Sequence, residues 1–242
     1  MSTKHLAELM PSSTIWTGSA NAPCPLYPAG SPAVMNCVTH GATPFWLNLH
    51  VGDLGHTLMF GPPGSGKSLH LALLVAQLRR YARMTIFAFD KGNSLYALTR
   101  AIHTTTRGAS GLHLRLGADD SKFACCPLQY LDTRSDRAWA MMWIDTILAL
   151  NNLHTTPAQR NEIGEAIVSM YRSESRTFSE FLLTIQDEKI RQALEQYTRR
   201  GPFGELLDAD SDQLELSDLT VFEIEELMRM DKRVALPVLL YL

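Results

Sequence analysis

Short apolar runs recur through the chain, and each one predicts a strand. The run FWLNLHV, which begins at Phe45, alternates apolar and polar side chains, and a glycine-rich turn separates it from HTLMF, which ends at Phe60. MTIFAF runs up to Asp90 and is rich enough in aromatic and β-branched residues to predict a buried strand. HLRLG and LTVFEI, at 113–117 and 219–224, predict two more. Because helical patterns separate these strands, the sequence predicts a parallel sheet.

Helical periodicity dominates the second half of the chain. The residues from Asp136 to Leu150 predict a helix, Pro157 predicts the start of another, and Thr177 with Glu180 predicts a capping-box start for a third. Residues 231–242 also follow a helical apolar pattern. The first of these helices carries a single apolar stripe, formed by Ala140, Trp143, Ile144, Ile147 and Leu148.

Proline usage divides the chain. Six of the 12 prolines fall in the first 44 residues, which excludes a long helix there and predicts an extended arm or linker over 1–44. Residues 45–135 then form the predicted core of the sheet, and 136–200 form a helical insertion. Residues 201–242 return to the core.

Composition narrows the class of protein. The 242 residues are 45% hydrophobic and 19% charged, as in globular proteins. The net charge of −3 gives no direct signal for nucleic acid or anionic lipid, and Arg79, Arg80 and Arg83 cluster where cations complement a helix C-terminus. Four cysteines without metal-ligand spacing, including adjacent Cys125 and Cys126, predict reduced thiols. Neither a signal peptide nor a membrane-spanning run is evident, so the pattern predicts an unexported protein.

One motif carries specific chemistry. The stretch GPPGSGKS matches the P-loop, or Walker A, pattern G-x-x-x-x-G-K-[ST], with an apolar run before it and an amphipathic helix, LHLALLVAQLRRYAR, after it. Its backbone N–H groups and the helix N-terminus are expected to bind phosphates, its lysine to reach the β- and γ-phosphates, and the hydroxyl of Ser68 to bind Mg²⁺. The residues predicted to bind Mg-ATP are Gly61, Pro62, Pro63, Gly64, Ser65, Gly66, Lys67 and Ser68.

Two positions offer the acidic group that a nucleotide hydrolase also needs at a strand end. Asp90 ends MTIFAF and superficially fits a Walker B acid, while Glu223, Glu225 and Glu226 follow LTVF. Asp90 also suits a strand-to-helix turn or an N-cap, and the glutamates suit the first turn of a helix. The pattern leaves these alternatives open.

Several segments resemble one family. FWLNLHVGDLGHTLMFGPPGSGKS, FAFDKGNS, CPLQYLDTRSDRAWA, TPAQRNEI and FEIEELM are similar to the conjugative-transfer ATPases of type IV secretion systems, the CagE/TrbE/VirB group, and above all to TrbE-like members. The similarity runs in order from about residue 6 to residue 242. It implies a RecA-like P-loop NTPase that binds ATP and Mg²⁺ at the cytoplasmic face of the inner membrane. It also implies a homo-oligomer in the full-length form, with other type IV secretion and mating-pair-formation components as partners and membrane association only through them.

The resemblance also implies two departures. The family has a large N-terminal domain before this region, and its Walker B strand lies beyond VALPVLLYL, so the core is expected to be incomplete at the C-terminus and turnover weak or absent. Asp90 then belongs to a separate motif. Two alternatives remain: a complete compact P-loop NTPase in which Asp90 serves as Walker B, or a non-catalytic interaction remnant with a vestigial P-loop.

Overall fold

The computed structural model describes residue 3, residues 15–118 and residues 123–242. The chain divides into two units, Met1–Ile86 and Phe87–Leu242. Strands and helices alternate along both, and the larger sheet is parallel, so the predicted α/β class is confirmed.

A two-stranded antiparallel sheet lies in the first unit. Strand β1 (Met35–Val38) pairs with β2 (Pro44–Leu47), with Met35 opposite Leu47 and Val38 opposite Pro44. The prediction of an irregular arm is therefore wrong for Met35–Val38. The prolines that suggested it, Pro32 and Pro44, flank this strand without interrupting it.

The helix predicted after the P-loop is confirmed as α1 (Lys67–Leu78). It buries Leu74 and Val75, and Leu74 joins a small core with Val34 and Tyr81. The N-terminal segment thus supplies part of the surface on which the P-loop helix packs.

Two side chains tie the end of α1 to residues 32–34. One guanidinium nitrogen of Arg80 donates to the carbonyls of Ala33 and Val34 at 3.0 and 2.7 Å, and its Nε donates to the Gln77 carbonyl in the last turn of α1 at 3.2 Å. The Tyr81 hydroxyl donates to the carbonyl of Pro32 at 2.7 Å. These contacts hold the C-terminal end of the P-loop helix in place.

The strand predicted at residues 56–60 is not formed. Leu58 and Phe60 are about 85% exposed, and no strand of the described residues pairs with this run. A strand requires a hydrogen-bonded neighbour, so the apolar alternation alone does not produce one here.

A three-stranded sheet forms the second unit's β structure. Its order is β3 (Ile86–Asp90), β5 (Leu219–Glu223), β4 (Leu112–Arg115), and β4 runs parallel to β5 with Leu112 opposite Thr220. Every residue of β5 is buried. The three predicted strands are thus confirmed, and the last one along the chain is central.

Strand β3 is less buried than its composition predicts. It lies at the edge of this sheet, and the side chains of Phe87 and Phe89 remain about half exposed. Phe89 stacks on Phe222 of the neighbouring strand, with ring centroids 5.2 Å apart. The edge position explains the difference, because a neighbouring strand covers only one side.

Helices make up most of the remaining second unit. Between β4 and β5, the described residues form helices and connecting turns, in agreement with the predicted helical insertion. The helices are α2 (Tyr96–Thr105), α3 (Arg134–Leu150), α4 (Pro157–Tyr171), α5 (Phe178–Thr184), α6 (Glu188–Leu194), α7 (Gly204–Leu207), α8 (Glu225–Arg229) and α9 (Lys232–Tyr241), with a 3₁₀ turn at Glu195–Tyr197.

The helix starts follow their capping residues. Thr156 and Gln159 form a capping box at α4, which begins at Pro157 as predicted. The hydroxyl of Thr177 accepts from the Glu180 N–H at 3.2 Å, which confirms the predicted start of α5. The predicted stripe on α3 is buried at all five positions. Local sequence signals thus determine where these helices begin and which face is buried.

Cys125 and Cys126 are buried in the second unit and are free thiols, as predicted. Burial raises the pKa of the Cys126 thiol to about 11 and that of Cys125 still further. Both sulfurs are therefore protonated at neutral pH, which suits packing and not nucleophilic chemistry.

None of the helices among the described residues has the length and apolar character of a membrane span.

Candidate nucleotide-binding site

The loop of residues 61–66 leads directly into α1. Gly64 and Gly66 have φ values of +80° and +84°, which only glycine adopts readily, and Gly66 is the N-cap of the helix. A Cβ at either glycine would meet no atom within 4 Å, so the backbone conformation, and not space, requires glycine. The P-loop spacing therefore places glycine where the chain turns into the helix.

The N-terminus of α1 is open to a ligand. No side chain caps it, no acidic residue lies in its first turn, and residues 61–66 are exposed. The first N–H groups of a helix lack intrahelical partners and carry a partial positive charge. An exposed, uncapped start of this kind suits an anion such as a phosphate.

Lys67 reaches back across the loop. Its Nζ donates to the carbonyls of Gly61 and Pro62 at 2.8 and 2.7 Å and lies 3.5 Å from the Ser65 hydroxyl. The ammonium group therefore lies at the mouth of the loop. A cation at this position adds to the positive end of the helix.

Ser68 is the second residue of α1, and it is exposed. Its hydroxyl is a suitable oxygen ligand for Mg²⁺, which needs few protein ligands when phosphates and water supply the rest. Among the residues that the structure describes, no group of three or more His, Cys, Asp or Glu residues could hold a metal ion. The loop residues thus fit Mg-ATP through glycine N–H groups, one ammonium and one hydroxyl.

Asp90, at the end of β3, is 6% exposed and fully engaged in hydrogen bonds. Its Oδ1 accepts from the Lys91 N–H at 2.9 Å and the Ser94 hydroxyl at 2.5 Å, and its Oδ2 accepts from the Leu95 N–H at 2.8 Å. The carboxylate shapes the turn that leads into α2. This is the strand-to-helix role that the sequence left open.

Glu223, at the end of β5, binds the same turn from the neighbouring strand. Its carboxylate accepts from the N–H groups of Gly92 and Asn93 at 3.2 and 2.6 Å, and from that of Glu225 at 3.0 Å. It is 4% exposed. Asp90 and Glu223 together form a carboxylate clamp on residues 91–95. No local pattern indicates this clamp, because Glu223 lies 131 residues from Gly92.

Glu225 and Glu226 occupy the first turn of α8, the position that suits acidic side chains at a helix start. Both pair with Arg229, at 2.8 and 3.2 Å. Their partner lies in the same short helix, and the pairs are partly exposed, so we assign them a local role.

Two relatives match the whole chain. A probable conjugal transfer protein TrbE of Sinorhizobium fredii is 47% identical over 246 residues, and the conjugal transfer protein TrbE of Rhizobium radiobacter is 48% identical over 248 residues. This chain belongs to the TrbE/VirB4 family. It spans 36% and 29% of the lengths of these two relatives. The resemblance to the conjugative-transfer and type IV secretion group, and to its TrbE-like members in particular, is confirmed.

VirB4 proteins extend the comparison. The type IV secretion system protein virB4 of Bartonella quintana is 27% identical over 225 residues, which cover 87% of this chain and 26% of that protein. The solved structure of VirB4 from Thermoanaerobacter pseudethanolicus matches 72% of this chain and 50% of its own, with a TM-score of 0.52 and 17% identity. No protein-family model matches the chain. The structural likeness confirms the predicted P-loop α/β fold for this TrbE/VirB4 homologue.

Proposed function

We propose that this chain binds Mg-ATP through residues 61–68, as the nucleotide-binding portion of an ATPase that serves conjugal transfer or type IV secretion. The observation that carries the proposal is the open N-terminus of α1, with left-handed Gly64 and Gly66 before it and the Lys67 ammonium at the mouth of the loop. Membership of the TrbE/VirB4 family supports the choice of ATP and of this process.

Each group has a separate role in binding. The N–H groups of the loop and of the first turn of α1 donate to phosphate oxygens, and Lys67 neutralises charge on the β- and γ-phosphates. Ser68 supplies one oxygen ligand to Mg²⁺, which when bound neutralises further phosphate charge. These contacts bind and orient the nucleotide without a chemical step.

A calorimetric titration tests this proposal. Mg-ATP is expected to bind, whereas Mg²⁺ with AMP is expected to bind at least tenfold more weakly, because AMP lacks the two phosphates that the loop and Lys67 contact. Equal affinities for ATP and AMP would show that the phosphates are not recognised.

We propose further that this chain alone turns ATP over slowly. The carboxylates at the ends of β3 and β5 are already occupied by the turn 91–95, so neither Asp90 nor Glu223 is free to bind Mg²⁺ or to polarise water. This favours a nucleotide-binding chain over a compact NTPase that uses Asp90 as Walker B.

Phosphate release measures this directly. The purified chain is expected to release phosphate from Mg-ATP well below about 1 per second, the lower end for ordinary enzymes. Turnover at or above that rate, abolished by Lys67→Ala, would mean that a catalytic acid lies within these 242 residues.

The family also suggests a setting. We propose that this chain acts in the cytoplasm at the inner membrane, together with other type IV secretion and mating-pair-formation components, and that the full-length form is a homo-oligomer. The names of its relatives, conjugal transfer and type IV secretion proteins, support such partners.

A further inference from the structure

A cavity of about 310 Å³ opens on the helical region of the second unit. Two leucines of α5 form its apolar wall, and one of them, Leu183, is 75% exposed. The residues that give the cavity its chemical character, which we call the arginine groove, are Leu182, Leu183, Arg191, Glu195, Arg199 and Arg200.

The three arginines differ in their engagement. Arg199 is held in place, because its Nε donates to the Asp208 carbonyl at 3.0 Å and its guanidinium pairs with Asp210. Arg191 and Arg200 are exposed, and neither pairs with an acidic side chain among the described residues. Within that portion of the chain, two positive charges thus lie beside an exposed leucine without a carboxylate partner.

We propose that the arginine groove docks an acidic peptide segment of a partner protein. A guanidinium group presents paired donors that match a carboxylate, and Arg191 and Arg200 each offer one such fork. The wall of Leu182 and Leu183 receives an apolar side chain of the same peptide. Complementary charge therefore fixes the peptide, and a buried apolar side chain adds affinity.

A peptide fits this groove better than a nucleic acid. Polynucleotides need a continuous basic path along their phosphates. Here Glu195 lines the groove, Asp210 adjoins Arg199, and the chain carries a net charge of −3. These negative charges interrupt the path that a polyanion would follow, whereas separate carboxylates can avoid them.

Fluorescence anisotropy tests the proposal with a labelled peptide in which glutamates flank a pair of leucines. The peptide is expected to bind the full chain, more weakly as NaCl screens the charges. The same peptide with glutamine in place of glutamate is expected to bind at least tenfold more weakly. Absence of binding by the glutamate peptide, or equal binding by both, would overturn the proposal.

Charge reversal locates the binding. Arg191→Glu combined with Arg200→Glu is expected to weaken peptide binding at least tenfold, since two attractions become repulsions, and Leu183→Gln is expected to weaken it about threefold. Arg172→Glu, another exposed arginine in the helical region, is the matched control and should bind like the unmodified chain. Unchanged binding by the double variant would reject the groove.

A labelled single-stranded oligodeoxynucleotide separates the other class of partner. It is expected to bind more weakly than the glutamate peptide. Tighter binding by the oligonucleotide, lost in the double variant, would replace the peptide with a nucleic acid and overturn the proposal.

Discussion

Lys67→Ala is expected to weaken Mg-ATP binding by about 1.5–3 kcal/mol, a rise in Kd of roughly ten- to a hundredfold. The substitution removes the ammonium that lies 2.8 and 2.7 Å from the carbonyls of Gly61 and Pro62, at the mouth of the phosphate-binding loop. A charged donor to a phosphate oxygen contributes about twice as much as a neutral one. Isothermal titration calorimetry measures the change in Kd.

The control for this experiment is Lys189→Ala, which removes an exposed lysine from the first turn of α6. It changes the net charge by the same amount and should leave the Kd for Mg-ATP unchanged. Equal affinity of Lys67→Ala and the unmodified chain would contradict the assignment of residues 61–68 as the nucleotide site.

Asp90→Asn is expected to lower the free energy of unfolding by about 2–3 kcal/mol while changing the Kd for Mg-ATP by less than about twofold. The buried carboxylate accepts from two backbone N–H groups and one hydroxyl. An amide group offers one oxygen in place of two, so the Leu95 N–H would face another donor. Urea denaturation reports the stability, and calorimetry reports the affinity.

Asp132→Asn is the matched control, because Asp132 is mostly exposed and makes one ion pair with Arg176 at 3.3 Å. A surface pair of this kind contributes at most about 1 kcal/mol. If Asp90→Asn left stability unchanged and weakened Mg-ATP binding at least tenfold, Asp90 would instead belong to the magnesium site of a compact NTPase.

Features encoded within a few neighbouring residues were predictable from the sequence. The P-loop pattern located the start of α1, Thr156 and Pro157 located the start of α4, and apolar spacing identified the buried face of α3. Each of these depends on a single turn or on one helix period. The family resemblance added the fold, because it rests on several segments in fixed order.

Features that depend on distant partners were not predictable. Residues 56–60 have the composition of a strand but no pairing partner in the described residues, and β3 lies at a sheet edge that leaves Phe87 half exposed. The hydrogen bonds of Glu223 to the turn after β3 cross 130 and 131 residues. Periodicity reports which side of an element is apolar, but not which element will cover it.

The position of β5 between β3 and β4 has a consequence for the order in which the chain folds during synthesis. The two outer strands emerge from the ribosome first, but they do not pair with each other and must wait for residues 219–223. Helices α3 to α6 emerge in the interval and can assemble through nearby contacts. The turn at 91–95 reaches its final form last, when Glu223 arrives to close it. A ribosome that stalls before residue 219 would therefore hold a chain with folded helices and two unpaired strands.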